Sequence, residues 1–224
     1  LAGEPTVSTY HAYAGRLVGE HALRLPAEPG ARLLGGTGAW QVAHRVVTTW
    51  ADDLDVDRVP ATVTGYVLAL AGELGEHLVE PATVRAHAAA LAALLDGASP
   101  GPRQKAEPSQ RYRRWLDAQR MRHALIPLVE AFGARKRAER ALDFGDQLAI
   151  AARVAAEHPE VGAQELATYR AVLLDEYQDT GHAQRVLLRA LFGAAPGAPA
   201  GAGSVTVTAV GDPCQSIYGW RGAS

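Results

Sequence analysis

The chain has 224 residues, enough for one or two compact units at roughly 100–200 residues each. Its 48% hydrophobic and 21% charged residues can build a real core, which excludes disorder throughout, and a formal net charge of −2 excludes a global basic footprint. Contact with nucleic acid would therefore need a local patch or a stacking surface. The single cysteine, Cys214, excludes an internal disulfide and a cysteine-based zinc or iron–sulfur centre made by this chain alone, and fits a reducing cytoplasm. No apolar run reaches the roughly 18 residues of a membrane helix, and the first residues lack the pattern of a signal peptide. A soluble, cytoplasmic chain without a membrane partner is expected.

Thr6-Val7-Ser8-Thr9-Tyr10-His11-Ala12-Tyr13 is rich in alternating and β-branched residues and predicts a short strand, followed by a helix over 14–25. From about Gly15 to Ala141 the patterns are almost entirely helical. Gly35-Gly36-Thr37-Gly38 predicts a turn, since no Lys-Ser/Thr pair follows at the spacing of a phosphate-binding loop. Val84, Ala88, Leu91 and Leu95, and later Leu125, Leu128, Val129 and Phe132, recur at helical spacing and predict core-facing stripes. The Gly- and Pro-containing stretch from Ala98 to Pro108 predicts a loop between them.

Arg103 to Arg140 is the most basic region, with Arg111, Arg113, Arg114, Arg120 and Arg122 followed by Arg135, Lys136, Arg137 and Arg140. Only Lys105 and Lys136 are lysines among the 22 basic residues, a bias that a GC-rich genome produces. The region is a solvated helix surface on the plain reading and a strand- or duplex-binding face on the functional one. Asp143 is placed to cap a helix running through Ala156.

Ala171-Val172-Leu173-Leu174 then runs into Asp175-Glu176-Tyr177-Gln178-Asp179-Thr180. This predicts a strand buried on both faces in a parallel sheet, whose carboxyl end is where such sheets bind ligands. Adjacent acids there can divide two tasks of nucleotide hydrolysis, holding Mg²⁺ and activating water, although the same pair often caps a following helix. Ala183, Leu187, Ala190 and Leu191 predict an amphipathic helix, Gly193 to Gly203 a loop, and Val205 to Val210 a second strand.

Asp-Glu-Tyr-Gln-Asp-Thr at 175–180, followed at 210–223 by Val-Gly-Asp-Pro-Cys-Gln-Ser-Ile-Tyr-Gly-Trp-Arg-Gly-Ala, resembles motifs II and III of the UvrD/Rep family of superfamily 1 DNA helicases. Thr9-Tyr10-His11 resembles the family's motif Ib. Leu142 to Leu148 resembles the segment that returns the chain to the motor domain. The resemblance implies an α/β fold, mostly helical overall: part of a RecA-like P-loop motor domain with a parallel sheet and a large all-helical insert like subdomain 1B. Residues 1–14 and 142–224 would belong to the motor domain and 15–141 to the insert.

The same resemblance implies ATP and Mg²⁺ as cofactors in the full-length protein. Asp175 would coordinate the metal, Glu176 would act as catalytic base and Gln215 would contact the γ-phosphate. Gln178, Asp179, Thr180 and Arg221 would couple the nucleotide site to the DNA path. Tyr10, His11, Tyr218 and Trp220 would hold single-stranded DNA; for the last two, ordinary core packing is the alternative. The implied partners are single-stranded DNA, duplex junctions and a second helicase subunit, the last because the motif details look similar to the actinobacterial AdnA/AdnB helicase–nuclease subunits.

Departures from the family pattern bear on these expectations. Gly-x-x-x-x-Gly-Lys-Ser/Thr occurs nowhere in the chain, and the sequence stops just after motif III. The expectation is an internal piece of a helicase that hydrolyses ATP negligibly by itself. The alternatives are a helicase-like protein that has lost catalysis and only binds DNA or a partner, and an unrelated P-loop ATPase sharing only the strand-Asp-Glu feature.

Overall fold

The computed structural model describes residues 4–24, 30–52, 54, 56–96, 109–193 and 205–217. Contacts divide the chain into two units, the first made of residues 1–34, 75–78 and 140–224, the second of 35–74 and 79–139.

In the first unit, helix α1 (Tyr10–His21) buries Ala14, Leu17, Val18 and His21, one face at i, i+3, i+4 and i+7. It joins α6 (Phe144–Glu157), α7 (Pro159–Thr168) and α8 (His182–Phe192) around a shared core that includes Leu148, Ala152, Val161, Leu187 and Leu191. Small alanines at the contact positions of α6 let the helices approach closely, and leucines of α8 fill the space between them. Asp143 starts α6 as expected: its carboxylate accepts from the Asp146 N–H at 2.9 Å, and Asp146 accepts in return from the Asp143 N–H at 3.0 Å. This reciprocal cap satisfies two amides that the helix itself cannot pair.

A buried carboxylate ties α1 to α7. Glu165, 3% exposed, accepts from the Tyr13 hydroxyl and from Arg16 Nη2 at 2.6 Å, while the Arg16 guanidinium lies 4.7 Å from the centroid of the Tyr13 ring. The pairing is what makes burial of the charge tolerable.

Two short parallel pairs complete this unit. Strand β1 (Arg32–Leu34) pairs with β2 (Ala141–Asp143), Arg32 opposite Ala141. Strand β3 (Ala171–Leu174) pairs with β4 (Thr206–Ala209), Ala171 opposite Thr206 and Leu174 opposite Ala209.

Among the described residues of the second unit all regular secondary structure is helical. Helix α2 (Gly36–Thr48) buries Ala39, Val42, Ala43, Val46 and Val47; α3 (Pro60–Glu76) buries Val63, Thr64, Val67 and Leu70. In α5 (Gln110–Ala138) the predicted stripe Leu125, Leu128, Val129 and Phe132 is buried, and Lys136 lies inside with its ammonium 4.4 Å from the Phe132 ring centroid. The stripe of α4 (Pro81–Asp96) is half-buried. Arg111, Arg113, Arg114 and Arg120 are exposed.

Four expectations are corrected. Residues 4–9 form no strand, because Thr9 serves as the start of α1: its Oγ1 accepts from the Ala12 N–H at 3.2 Å and its carbonyl from the Tyr13 N–H at 3.0 Å. The glycine cluster is not a turn; Gly35 precedes α2 and Gly36 to Gly38 form its first turn, held by the apolar face that follows. Strand β3 is not buried on both faces, for Leu173 is 80% exposed and β4 is exposed along its length. Helix α1 and strand β1 belong to the first unit rather than to the helical one, with Leu17 and Val18 among the core residues of the former. The stretch from Ala98 to Pro108 lies outside the described residues, as does nearly all of the predicted loop from Gly193 to Gly203.

Candidate nucleotide-hydrolysis site

The parallel register of β3 and β4 sets the loops after them side by side at one edge. The Val210 N–H donates to the Leu174 carbonyl at 2.8 Å, and the Tyr177 N–H donates to the Val210 carbonyl at 2.9 Å, so pairing continues beyond the strands into the loops. Between these two bonds the chain must expel Asp175 and Glu176 from the ladder. It does so by placing Glu176 in the left-handed region, φ 51° and ψ 40°. For a residue with a Cβ this costs about 1 kcal/mol, strain of a kind that collects at functional positions.

Gln178 joins the two loops through both ends of its amide. Its Oε1 accepts from the Asp212 N–H at 3.1 Å, and its Nε2 donates to Glu176 Oε2 at 2.5 Å. Its backbone carbonyl also accepts from the Ser216 hydroxyl at 3.4 Å. Gly211 makes this approach possible: a Cβ there would stand 2.5 Å from Gln178 Oε1 and 3.0 Å from the Gln178 nitrogen. Glu176 is thus held by a residue whose other end is fixed on the second loop.

Asp212 organises that second loop. Its Oδ1 accepts from the Cys214 N–H at 2.9 Å and its Oδ2 from Gln215 Nε2 at 2.8 Å, and these bonds, the Gln215 amide foremost, hold its carboxyl below the usual carboxylate range. Asp212 is not among the residues that the sequence motifs single out for a role. An Asp ahead of Pro-Cys, able to accept from a backbone N–H two residues on, is the local signal that marks it.

Asp175 is exposed at the end of β3, with Oδ1 accepting from the Glu176 N–H at 3.0 Å. Among the described residues no group of three or more His, Cys, Asp or Glu could hold a metal ion. The donor set nevertheless fits Mg²⁺, which keeps several waters and binds through one or two carboxylates plus substrate phosphates rather than in an all-protein cage.

The remaining predicted residues fall in different places. Thr180 is 1% exposed, and its hydroxyl and Asp179 Oδ1 are buried without a hydrogen-bond partner. The Tyr10 phenol comes beside Thr180 without a hydrogen bond of normal geometry; burial chiefly raises its pKa, Thr180 opposes this, and the nearby Tyr177 and Asp175 add to it. Tyr10 therefore faces the 175–180 loop, whereas its neighbour His11 packs edge-on against Phe144 at 5.6 Å between ring centroids. Tyr218, Trp220 and Arg221 lie outside the described residues.

A family model described as UvrD/REP helicase N-terminal domain matches residues 2–224. Among known proteins the chain is similar to the "ATP-dependent DNA helicase UvrD1" of Mycobacterium tuberculosis, 38% identical over 110 residues, which is 48% of this chain and 14% of that protein. The "DNA helicase II" of Rickettsia typhi is 40% identical over 82 residues, 37% of this chain and 11% of that one. A protein of Lactococcus lactis named as a subunit of an "ATP-dependent helicase/nuclease" is 29% identical over 104 residues, 46% of this chain and 8% of that one. The matched stretches thus cover only about a seventh or less of these relatives' length.

Proposed function

Because the chain belongs to the UvrD/REP helicase N-terminal domain family, we propose that the full-length protein is an ATP-dependent DNA helicase or translocase that couples ATP hydrolysis to movement on single-stranded DNA in repair or recombination. The observation that carries this reading is the Gln178 bridge, which ties the candidate base Glu176 to the loop of the candidate phosphate sensor Gln215. We propose that the first unit is part of the RecA-like motor domain and the helical unit a 1B-like insert, and that the protein works in the cytoplasm.

In this scheme Asp175 would hold Mg²⁺, which when bound neutralises charge developing on the transferred phosphoryl group. Glu176, held by Gln178 Nε2, accepts the proton of the attacking water. Gln215, which now donates to Asp212, offers its amide hydrogens to a γ-phosphate oxygen without adding charge. Tyr218 and Trp220 follow Gln215 by three and five residues, so a shift of Gln215 toward phosphate is transmitted to aromatics on which DNA bases stack. Arg221 would pair with the DNA backbone or bridge to the nucleotide site. Tyr10 and His11 would lie on the same DNA path, with duplex junctions as the strand-separation substrate. The likeness to a protein named as a helicase/nuclease subunit supports a partner subunit, and the AdnA/AdnB kind is the subfamily we propose.

The test is DNA-stimulated ATP hydrolysis by the full-length protein, comparing wild type with Glu176→Gln while Mg²⁺-nucleotide binding is measured separately. Loss of turnover by about 10²- to 10⁴-fold with binding retained is expected for removal of a general base. Absence of hydrolysis by the wild type would replace this reading with that of an inactive DNA- or partner-binding protein.

A further inference from the structure

Helix α3 lies mostly in the helical unit, yet its last two residues and the turn after them, Gly75 to Leu78, belong to the first unit. The helix stops in a way that its sequence does not favour. The Leu78 N–H donates to the Gly75 carbonyl at 3.2 Å and the Val79 N–H to the Leu74 carbonyl at 2.9 Å, a closing pattern that needs a left-handed residue at position 78. Glycine is usual there; this chain uses leucine at φ 54°. The compensation is visible, because the Leu78 side chain packs against the core shared by α1, α6, α7 and α8.

The two residues before it reach the end of the candidate catalytic loop. Glu76 fills the place a Cβ on residue 181 would take, so only glycine fits there unless the carboxylate moves, and Glu76 Oε1 is buried without a hydrogen-bond partner. His77 stacks on His182, ring centroids 6.1 Å apart and 30° between planes. Gly181 and His182 directly follow Thr180 and start α8, whose first amides favour a carboxylate nearby. The loop carrying Asp175 and Glu176 is therefore fixed at one end by β3 and abutted at the other by a segment that α3 delivers.

We propose that the turn Gly75–Leu78 is a docking strap that sets the position of the 175–180 loop for the reaction, with Leu78 as its anchor and Glu76 as its positioning residue. The inference rests on the helicase reading for its kinetic consequence and on packing alone for the docking itself. Strain at Leu78 is held because releasing it would withdraw the side chain from the core, and the wedge at Gly181 converts that anchor into a fixed loop position.

Gly181 has φ −80° and ψ 178°, a conformation open to alanine, so Gly181→Ala tests the wedge without backbone strain. In the full-length protein, Gly181→Ala should lower DNA-stimulated kcat by about tenfold or more, with little change in the KM for Mg²⁺-ATP, as displacement of a catalytic loop does. The double variant Gly181→Ala with Glu76→Ala should recover most of that loss, since removing the carboxylate opens the space the new methyl needs. A double variant no better than Gly181→Ala, or unchanged kcat in Gly181→Ala itself, overturns the proposal. Amide hydrogen exchange across 177–184, measured without nucleotide, reads the docking independently: Glu76→Ala should speed it, and unchanged exchange also overturns the strap. Wild-type protein without ATPase activity would count against the helicase reading, and the exchange result would still decide the strap.

Discussion

Replacing Gln178 by alanine removes two contacts at once, the 2.5 Å bond to Glu176 and the 3.1 Å bond from the Asp212 N–H. Each net hydrogen bond is worth about 0.5–1.5 kcal/mol, and the half-buried position keeps the sum near 1–2 kcal/mol. The loss should not spread to the apolar core, to which Gln178 contributes nothing, and the Leu174–Val210 backbone bond remains. The loss falls instead on the placement of Glu176. At about 1.4 kcal/mol per factor of ten, kcat for DNA-stimulated hydrolysis in the full-length protein should drop about tenfold, with the KM for ATP nearly unchanged. Gln178→Glu sharpens the test: it keeps an acceptor for the Asp212 N–H but sets a second carboxylate against Glu176, so it should be worse than alanine. Steady-state kinetics of both variants beside Glu176→Gln measures this ordering. Unchanged kcat in Gln178→Ala, or a loss as large as that of Glu176→Gln, would refute the positioning role.

Two further outcomes concern the scaffold. Leu187→Ala empties a site 1% exposed between the core helices and should destabilise the first unit by about 2–5 kcal/mol, seen as a lower urea midpoint in pulse proteolysis, while Leu187→Met should cost less than about 1.5 kcal/mol. Burial first, and then the bond to Glu165, push the Tyr13 phenol well above its ordinary pKa. The folded state therefore holds that proton more tightly than the unfolded chain, a stabilisation complete below about pH 10 and lost as pH rises beyond it. Between about pH 9 and 11 the unfolding temperature of wild type should fall more steeply than that of Tyr13→Phe, and parallel curves would count against it.

The helix faces, the cap of α6 and the strand before Asp175 were legible in the residues themselves. Leu125, Leu128, Val129 and Phe132 are buried as their spacing requires, Asp143 caps α6, and the apolar run at 171–174 is a strand that Asp175 follows. Such features depend on neighbours within a turn or two, so periodicity and capping chemistry suffice to find them. Local pattern misled where two local signals competed: Thr9 caps a helix instead of extending a strand, and Gly36 to Gly38 follow the apolar face of α2 into a helical turn.

What only the tertiary structure decided is which residues meet. Gln178 reaches Asp212 across 34 residues because β3 and β4 pair in one parallel register; a shift of that register would carry Asp212 away from the amide and leave Glu176 unheld. Tyr10 faces Thr180 because α1 packs on the same core as α8, and Glu76 meets Gly181 because Leu78 accepts a left-handed backbone to enter that core. The sequence by itself determined the stretches that resemble the family's motifs and supplied the carboxylates and amides proposed for metal, proton and phosphate. Their mutual restraint arises from hydrogen bonds and packing between segments far apart in the chain, which no local pattern encodes.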